Sequence, residues 1–382
     1  MKTILIFEPL SGGHRTNFIR WLADAIRTDP LSGCRFVFIT APGNRGGDSE
    51  KILFEALPET EAHELEAAGR GRKARLLRQL FDAACERHTP DHALVLELTR
   101  LEQSFVLKGS PCPLSAILFV QYPELPRGLK FFFKDWKTAL LLRRAPVKNL
   151  FLLNGEESCR YLTGRFGSRA RFFPVPDSAT EITAAADYSL RQEYHLESDR
   201  TVFLFFGAIS PRKGSGVLIE ALHLLTPDAA AQSAFIFCGQ PESRYRRTFE
   251  QAAEHLRAAR PDIALNIENR FVSDEQMMAL FEQSDVVLMP YTRPEYSSGI
   301  LALAAKARTP VIGPDSGLLG RLILQNGLGA VCSIQPAALA KSIADAAQHL
   351  PAADEALRSV FVQKSCPEEF VRIILNAVKE DQ

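Results

Sequence analysis

The chain contains no apolar run of about 18 residues, so no membrane-spanning helix is expected. Its seven cysteines (34, 85, 112, 159, 238, 332 and 366) include no C-x-x-C pair, and their total is odd. That pattern argues against a disulfide framework or a zinc site and suits a reducing cytoplasm. Tandem repeats and low-complexity tracts are missing as well. The opening MKTILIFEPL is too short in its apolar run for a signal peptide and is broken by Glu8 and Pro9, so a first β-strand is expected there. Net charge is also lacking, but the zero hides a division. Residues 1–176 hold 26 Lys/Arg against 19 Asp/Glu, and residues 177–382 hold 19 against 26. The first half therefore favours an anionic partner.

What the 382 residues do contain is a regular alternation of short apolar runs with longer helix-like segments, the signature of parallel α/β sheets. TILIF, FVFIT, ALVLEL, AILFVQ, LFLLN and RFFPV read as buried strands of a first half. TVFLFFG, AFIFCG, ALNIENRFV, DVVLMPY and TPVIG do the same in a second half. The stretch PVPDSATEITAAADYS (174–189), with two prolines and no apolar period, reads as a linker. The expected architecture is two doubly wound, Rossmann-like domains facing across a cleft: 1–178 on the acceptor side, 179–365 on the donor side. A C-terminal helix, 366–382, is expected to pack back on the first domain. Ligands of such sheets bind at the carboxyl ends of the strands.

Three strand-to-helix turns carry the chemistry. In LIFEPLSGGHRTNFIRW, a strand runs into Ser11-Gly12-Gly13-His14 and then a helix, a turn where a ligand can approach backbone amides and the helix dipole favours an anion. A tight connection needing positive φ explains the two glycines equally well. In TVFLFFGAISPRKGSGVLIEAL, Gly207 ends a strand and Arg212-Lys213-Gly214 precede a helix. Two adjacent cations there suit a diphosphate, although a solvated basic loop is the blander alternative. In MPYTRPEYSSGILALAAKARTPVIG, Glu295 precedes Ser297-Ser298-Gly299-Ile300 and an Ala/Leu-rich helix. Free amides at that helix start can hold a phosphate and the carboxylate can accept from sugar hydroxyls; plain N-capping is the competing account.

Taken as an ordered set, these residues resemble the nucleotide-sugar-dependent glycosyltransferases of family 4 (group 1), which have the GT-B fold. The resemblance is strongest from about 200 to 335: Gly207 with Lys213-Gly214, Cys238-Gly239-Gln240-Pro241, Phe271-Val272 before the acidic Ser273-Asp274-Glu275, Asp285 to Pro290, then Glu295 and Pro310-Val311-Ile312. It implies a retaining, metal-independent hexosyltransferase-like enzyme that moves a sugar from a nucleotide-diphosphate donor to a glycan, lipid-linked or small-molecule acceptor. Glu295, Lys213 and Arg212 would act in catalysis. Gly12, Gly13, His14, Gly207, Gly239, Val272, Ser297, Ser298, Gly299, Ile300 and position 303 would line the donor site. The chain departs from the family pattern at Leu303, where a second glutamate would meet the ribose, at Ala208, where an arginine often stands, and at Ser298, with the glycine one residue later. Leucine has no acceptor for a ribose hydroxyl. A catalytically silent GT-B protein that binds a sugar nucleotide or a partner enzyme is therefore the second reading.

On the acceptor side, Gln121 and Glu124 in FVQYPELP end a strand and are candidates for contact with acceptor or sugar, or plain loop residues. RGLKFFFKDWKTALLLRRAPVK (127–148) carries seven Lys/Arg against one acid, Asp135, interleaved with Phe131, Phe132, Phe133 and Trp136. It reads either as a surface helix burying its apolar face in the first domain or as a peripheral membrane contact at the inner face of the membrane. Nucleic acid is not an expected partner, since no recognised module is present.

Overall fold

The computed structural model describes residues 1–12, 14–28, 33–43, 48–49, 51–119, 122, 128–179 and 182–380, with the backbone alone at His14 and Lys130. The chain divides into two compact units, Met1–Asp177 together with Cys366–Gln382, and Ser178–Ser365.

In the first unit the strands are β1 (Lys2–Glu8), β2 (Cys34–Thr40), β3 (Ile52–Ala56), β4 (His92–Val95), β5 (Leu114–Leu118), β6 (Val147–Leu153) and β7 (Arg171–Val175). They pair in the order β3-β2-β1-β4-β5-β6-β7, every neighbour parallel. Because successive side chains point to opposite faces, β1 feeds two cores at once. Leu5 and Phe7 join Phe81 and Phe105 on one face; Ile4 and Ile6 join Phe18, Leu22 and Ile26 of the His14–Thr28 helix on the other. The helix Pro367–Lys379 completes that second core. Phe370 stacks on Phe18 at 4.5 Å and meets Trp21 edge-on at 5.8 Å. Its end is tied down where the Ala377 carbonyl accepts from Asn149 Nδ2 (3.3 Å) and Arg171 Nη2 (3.0 Å).

The second unit holds β8 (Thr201–Phe206), β9 (Ser233–Cys238), β10 (Ala264–Glu268), β11 (Val286–Leu288), β12 (Val311–Pro314) and β13 (Gly329–Cys332). Their order is β10-β9-β8-β11-β12-β13, again parallel throughout. Alternation repeats here: Val202 and Leu204 face one core with Leu280 and Ile323, while Phe203 and Phe205 face the other with Leu218 and Leu222. Both sheets are thus doubly wound, as the alternating sequence implied. Each reverses its winding between two central strands, β1 and β4 in the first and β8 and β11 in the second. At such a switch point neighbouring loops diverge and leave a crevice at the carboxyl ends of the strands.

Candidate functional site

At the switch point of the second unit, β8 ends in Gly207 and β11 leads to Pro290. Gly207 has φ 99°, and a Cβ there would meet Lys213 Nζ at 2.5 Å and Ile300 Cδ1 at 3.8 Å. Absence of a side chain at 207 therefore makes room for the lysine and for the start of the Gly299–Lys306 helix. Gly239, closing β9, lies against the carbonyl of Gly207, and its own amide bonds Glu268 O at 2.9 Å. Lys213 sits in the tight turn Pro211–Lys213, whose first amides are organised by Ser210: its Oγ accepts from Lys213 N at 3.4 Å. Gly214, at φ 73°, then turns the chain into the Ser215–His223 helix.

This lysine is only 8% exposed. Its ammonium donates to Phe206 O at 3.4 Å and lies 5.4 Å from the centre of the Tyr291 ring. An ammonium has three donors. Among the described residues that bond is its one hydrogen bond, and no carboxylate pairs with it. A cation on a buried residue, held by a carbonyl and an aromatic face, is set up to receive an anion.

The loop after β11 is clamped to the turn that holds Lys213. A Cβ at Gly214 would overlap the Pro290 carbonyl oxygen, so the two backbones are in contact. Thr292 N donates to Arg212 O at 3.0 Å, and Thr292 Oγ1 to Pro211 O at 2.9 Å. Farther along, Gly317 (φ 69°) packs against Pro294, and Leu319 N bonds Pro294 O at 3.0 Å. Between these clamps stands Glu295, its side chain 16% exposed and paired with the outlying Arg293 at 3.1 Å. Ser298 occupies the cap position of the Gly299–Lys306 helix, yet its hydroxyl makes no capping bond and instead meets Tyr291 Oη at 3.1 Å. Leu301 N bonds Ser298 O at 3.0 Å, while the amides of Gly299 and Ile300 have no partner among the described residues, an arrangement that suits an anion.

The residues singled out in the sequence sort as follows. Gly207, Gly239, Lys213, Ser298, Gly299 and Ile300 converge on the switch point, with Glu295 and Ser297 on the loop entering it. Arg212 is exposed and its guanidinium has no partner among the described residues. Val272, half-buried after β10, packs against the core. Leu303 is 9% exposed and belongs to the same core, with Met278, Phe281 and Leu301. Gly12 has φ 82°, and a Cβ there would meet nothing within 4 Å among the described residues. Gly13, Gln121, Glu124 and the His14 side chain lie outside the described residues. Tyr291, which touches both Lys213 and Ser298, carried no sequence signal beyond ending an apolar run.

The switch point of the first unit holds a cluster that sequence reasoning missed. Glu8 ends β1, Glu97 follows β4, and Arg15 of the first helix lies between them: 3.6 Å to Glu8 and 2.5 Å to Glu97, with Arg100 3.1 Å from Glu97. Burial pushes the Glu8 carboxyl up to about 8; Arg15 pulls it down and Glu97 pushes it up further. Arg15 also donates to Ser11 O and Gly12 O, at 3.3 and 3.4 Å, which fixes the glycine turn. The available signal was an acid at or just past the end of each of two neighbouring strands, with an arginine in the first turn of the helix that follows the first of them. Among the described residues, no group of three His, Cys, Asp or Glu is placed to hold a metal ion.

Two parallel-sheet, Rossmann-like units of this order define an α/β protein of the GT-B glycosyltransferase architecture. Residues 188–356, within the second unit, match the family model described as "Glycosyl transferases group 1". No curated protein matches the chain by sequence. Among solved structures, an alpha,alpha-trehalose-phosphate synthase (UDP-forming) from Burkholderia vietnamiensis is similar at 13% identity and TM-score 0.69, covering 100% of both chains. Sucrose-phosphate synthase from Thermosynechococcus elongatus is similar at 15% and 0.67, covering 100% of this chain and 98% of that one. Anabaena HepE in complex with UDP-glucose is similar at 16% and 0.66, covering 100% of both chains. At such identities the likeness is one of fold.

Proposed function

We propose that the protein is a nucleotide-sugar-dependent glycosyltransferase, with Lys213 and the start of the 299–306 helix binding the diphosphate of the donor. The observation that carries this reading is the buried Lys213, whose ammonium has no anionic partner among the described residues and stands beside Gly207 and Ile300 at the switch point. The group 1 family match over 188–356 supports the same reading. The Anabaena protein's complexes with UDP and with UDP-glucose make a uridine-diphosphate sugar the first donor to test.

In this reading, an acceptor hydroxyl oxygen bonds to the sugar carbon as the bond from that carbon to the diphosphate oxygen breaks, and the hydroxyl proton passes to the departing diphosphate; negative charge grows on the leaving group and positive charge on the ring. Lys213 and the free amides at 299 and 300 stabilise the first, and Arg212, free in solvent, can close over it. Charge stabilisation that is already in place is often the largest catalytic contribution, because it costs no reorganisation during the reaction. Glu295 orients sugar hydroxyls and its charge favours the cationic ring. Retention of configuration, a metal-independent reaction and a glycan, lipid-linked or small-molecule acceptor complete the proposal.

Transfer and donor hydrolysis measured over a panel of nucleoside-diphosphate sugars test it. Removing one charge-stabilising donor costs on the order of 2–4 kcal/mol, so Lys213→Ala should lower kcat/KM by roughly 10²- to 10³-fold. Glu295→Gln should lower it with little effect on UDP affinity. Wild-type turnover in both variants would sink the assignment. The second reading, a silent donor-binding protein, has its own observation: Leu303 packs in the core where the family resemblance expects a carboxylate. UDP binding that depends on Lys213, with no turnover for any donor in the panel, would select it.

A further inference from the structure

The helix Leu129–Arg144 of the first unit has two apolar faces, and only one of them is covered. Inward, Phe131 meets Tyr122 at 6.2 Å and Tyr161 at 5.6 Å, Thr138 bonds the Tyr122 hydroxyl, and Leu141 and Leu142 enter the core. Outward, Leu129 is 79% exposed, Phe132 and Phe133 are each 67% exposed, and Trp136 is 63% exposed. Their spacing, i, i+3, i+4 and i+7, aligns them along one stripe. On the neighbouring helix Glu102–Lys108, Leu107 is exposed as well, at 68%. Large aromatics on a surface are costly in water, and a contiguous group of them marks an interaction site.

Charge decides what the stripe faces. The helix has one acid, Asp135, and it is turned inward, accepting from Tyr161 Oη at 2.9 Å and facing Arg165 at 3.4 Å. The buried Glu102 is likewise consumed from within, by Lys134 at 2.8 Å and Lys137 at 2.9 Å. These bonds fasten the helix to its neighbour and hold the outer face fixed. Arg143 and Arg144 stand about two turns beyond Trp136, both exposed. Residues 127–148 hold seven Lys/Arg to one acid; with Lys134 and Lys137 paired to Glu102, the exposed cations among the described residues of this stretch are Arg143, Arg144 and Lys148. Aromatic residues that enter the boundary between headgroups and acyl chains, flanked by cations, fit an interface with anionic lipid.

We propose that the Phe132–Phe133–Trp136 face docks the first unit on a bilayer bearing anionic headgroups. The proposal is independent of the glycosyl-transfer reading, because it is tested without donor or acceptor. The chain has two tryptophans, Trp136 on this face and Trp21 buried beside Phe18 and Phe370, so lipid contact should move only one emitter. The full chain is mixed with phosphatidylcholine vesicles with and without phosphatidylglycerol. Co-sedimentation with the anionic vesicles is expected, together with a blue shift of the emission that vanishes in Trp136→Phe. Phe132→Ser with Phe133→Ser should reduce partitioning on the order of tenfold or more, and Arg143→Glu with Arg144→Glu should reduce it at low salt. Absence of binding to either vesicle would overturn the proposal. So would binding left intact by both double variants, or a concentration-dependent self-association that the double serine variant abolishes, which would assign the face to a second copy.

Discussion

Two glycines of the second unit, Gly207 and Gly214, have the same backbone demand and different neighbours, and a pair of alanine substitutions separates the two. Both have positive φ, 99° and 73°. That conformation costs an alanine about 1–2 kcal/mol. Stiffening of the unfolded chain returns roughly 0.4–1 kcal/mol of this in each case. At Gly207 the new methyl meets Lys213 Nζ, the far end of a flexible side chain, which can swing aside. At Gly214 it overlaps the Pro290 carbonyl, so two backbone segments must part and the Thr292 bonds to Arg212 and Pro211 must stretch. Forced repacking of that kind typically adds about 1–3 kcal/mol. Gly207→Ala should therefore cost about 1 kcal/mol and Gly214→Ala about 2–4 kcal/mol. Urea unfolding followed by far-UV circular dichroism is the suitable assay, because both tryptophans lie in the first unit and their fluorescence does not report on the second. Gly207→Ala should instead show its effect in nucleotide binding, by displacing the ammonium. Equal stability losses, or the larger loss at Gly207, would refute the claim that the turn and the loop after β11 are in backbone contact.

Two further perturbations follow from the same geometry. Glu8, raised from 4.5 to about 8 in the folded protein, favours folding when protonated; its contribution is complete below pH 4.5 and is lost as pH rises through about 8. The shift sets an upper limit of about 5 kcal/mol, and Glu8→Gln should flatten the fall in stability between about pH 5 and 9; urea midpoints with the same pH slope in both proteins would contradict it. Arg308 holds φ 60° just past the end of the 299–306 helix, and its ion pair with Glu355, 3.7 Å long and well exposed, contributes little. Arg308→Gly should raise stability by about 0.5–1 kcal/mol, because glycine adopts this conformation without the Cβ penalty; a lower melting temperature in calorimetry would count against it.

Most strands were legible in the sequence because buried parallel strands are continuous apolar runs, and β1, β2, β6, β8 and β9 match such runs closely. The two that were not foreseen, β3 and β13, lie at sheet edges. In β3, Glu55 faces His88 and Arg87 and interrupts the run. In β13 the four residues GAVC are too few to show a period, and Gly329 is there because a Cβ would overlap the backbone of Val311. ALNIENRFV suggested a longer strand than forms, since pairing with β9 stops at Glu268. For the site, the glycines and cations were visible as local motifs. Their meeting was not: Lys213 finds Tyr291, and Gly214 finds Pro290, across some eighty residues of chain. The Glu8–Arg15–Glu97 cluster likewise joins residues from two strands and a helix.

Position 303 shows the limit of motif reading most clearly. The helix Gly299–Lys306 reads GILALAAK, apolar on nearly every side, so no periodicity tells which face meets the core and which meets a ligand. A resemblance assigns residue 303 to the ribose; packing gives Leu303 to a cluster with Met278, Phe281 and Leu301. A leucine there gains the burial that a carboxylate would forfeit, since an unpaired charge in such surroundings is expensive. Leu303 therefore adds to the cohesion of the helix that carries the proposed anion-binding amides. Under the proposed function, the diphosphate then supplies more of the binding energy than the ribose does. Discrimination among donors must rest on the base and sugar contacts around them, with Glu295 the carboxylate on the entering loop.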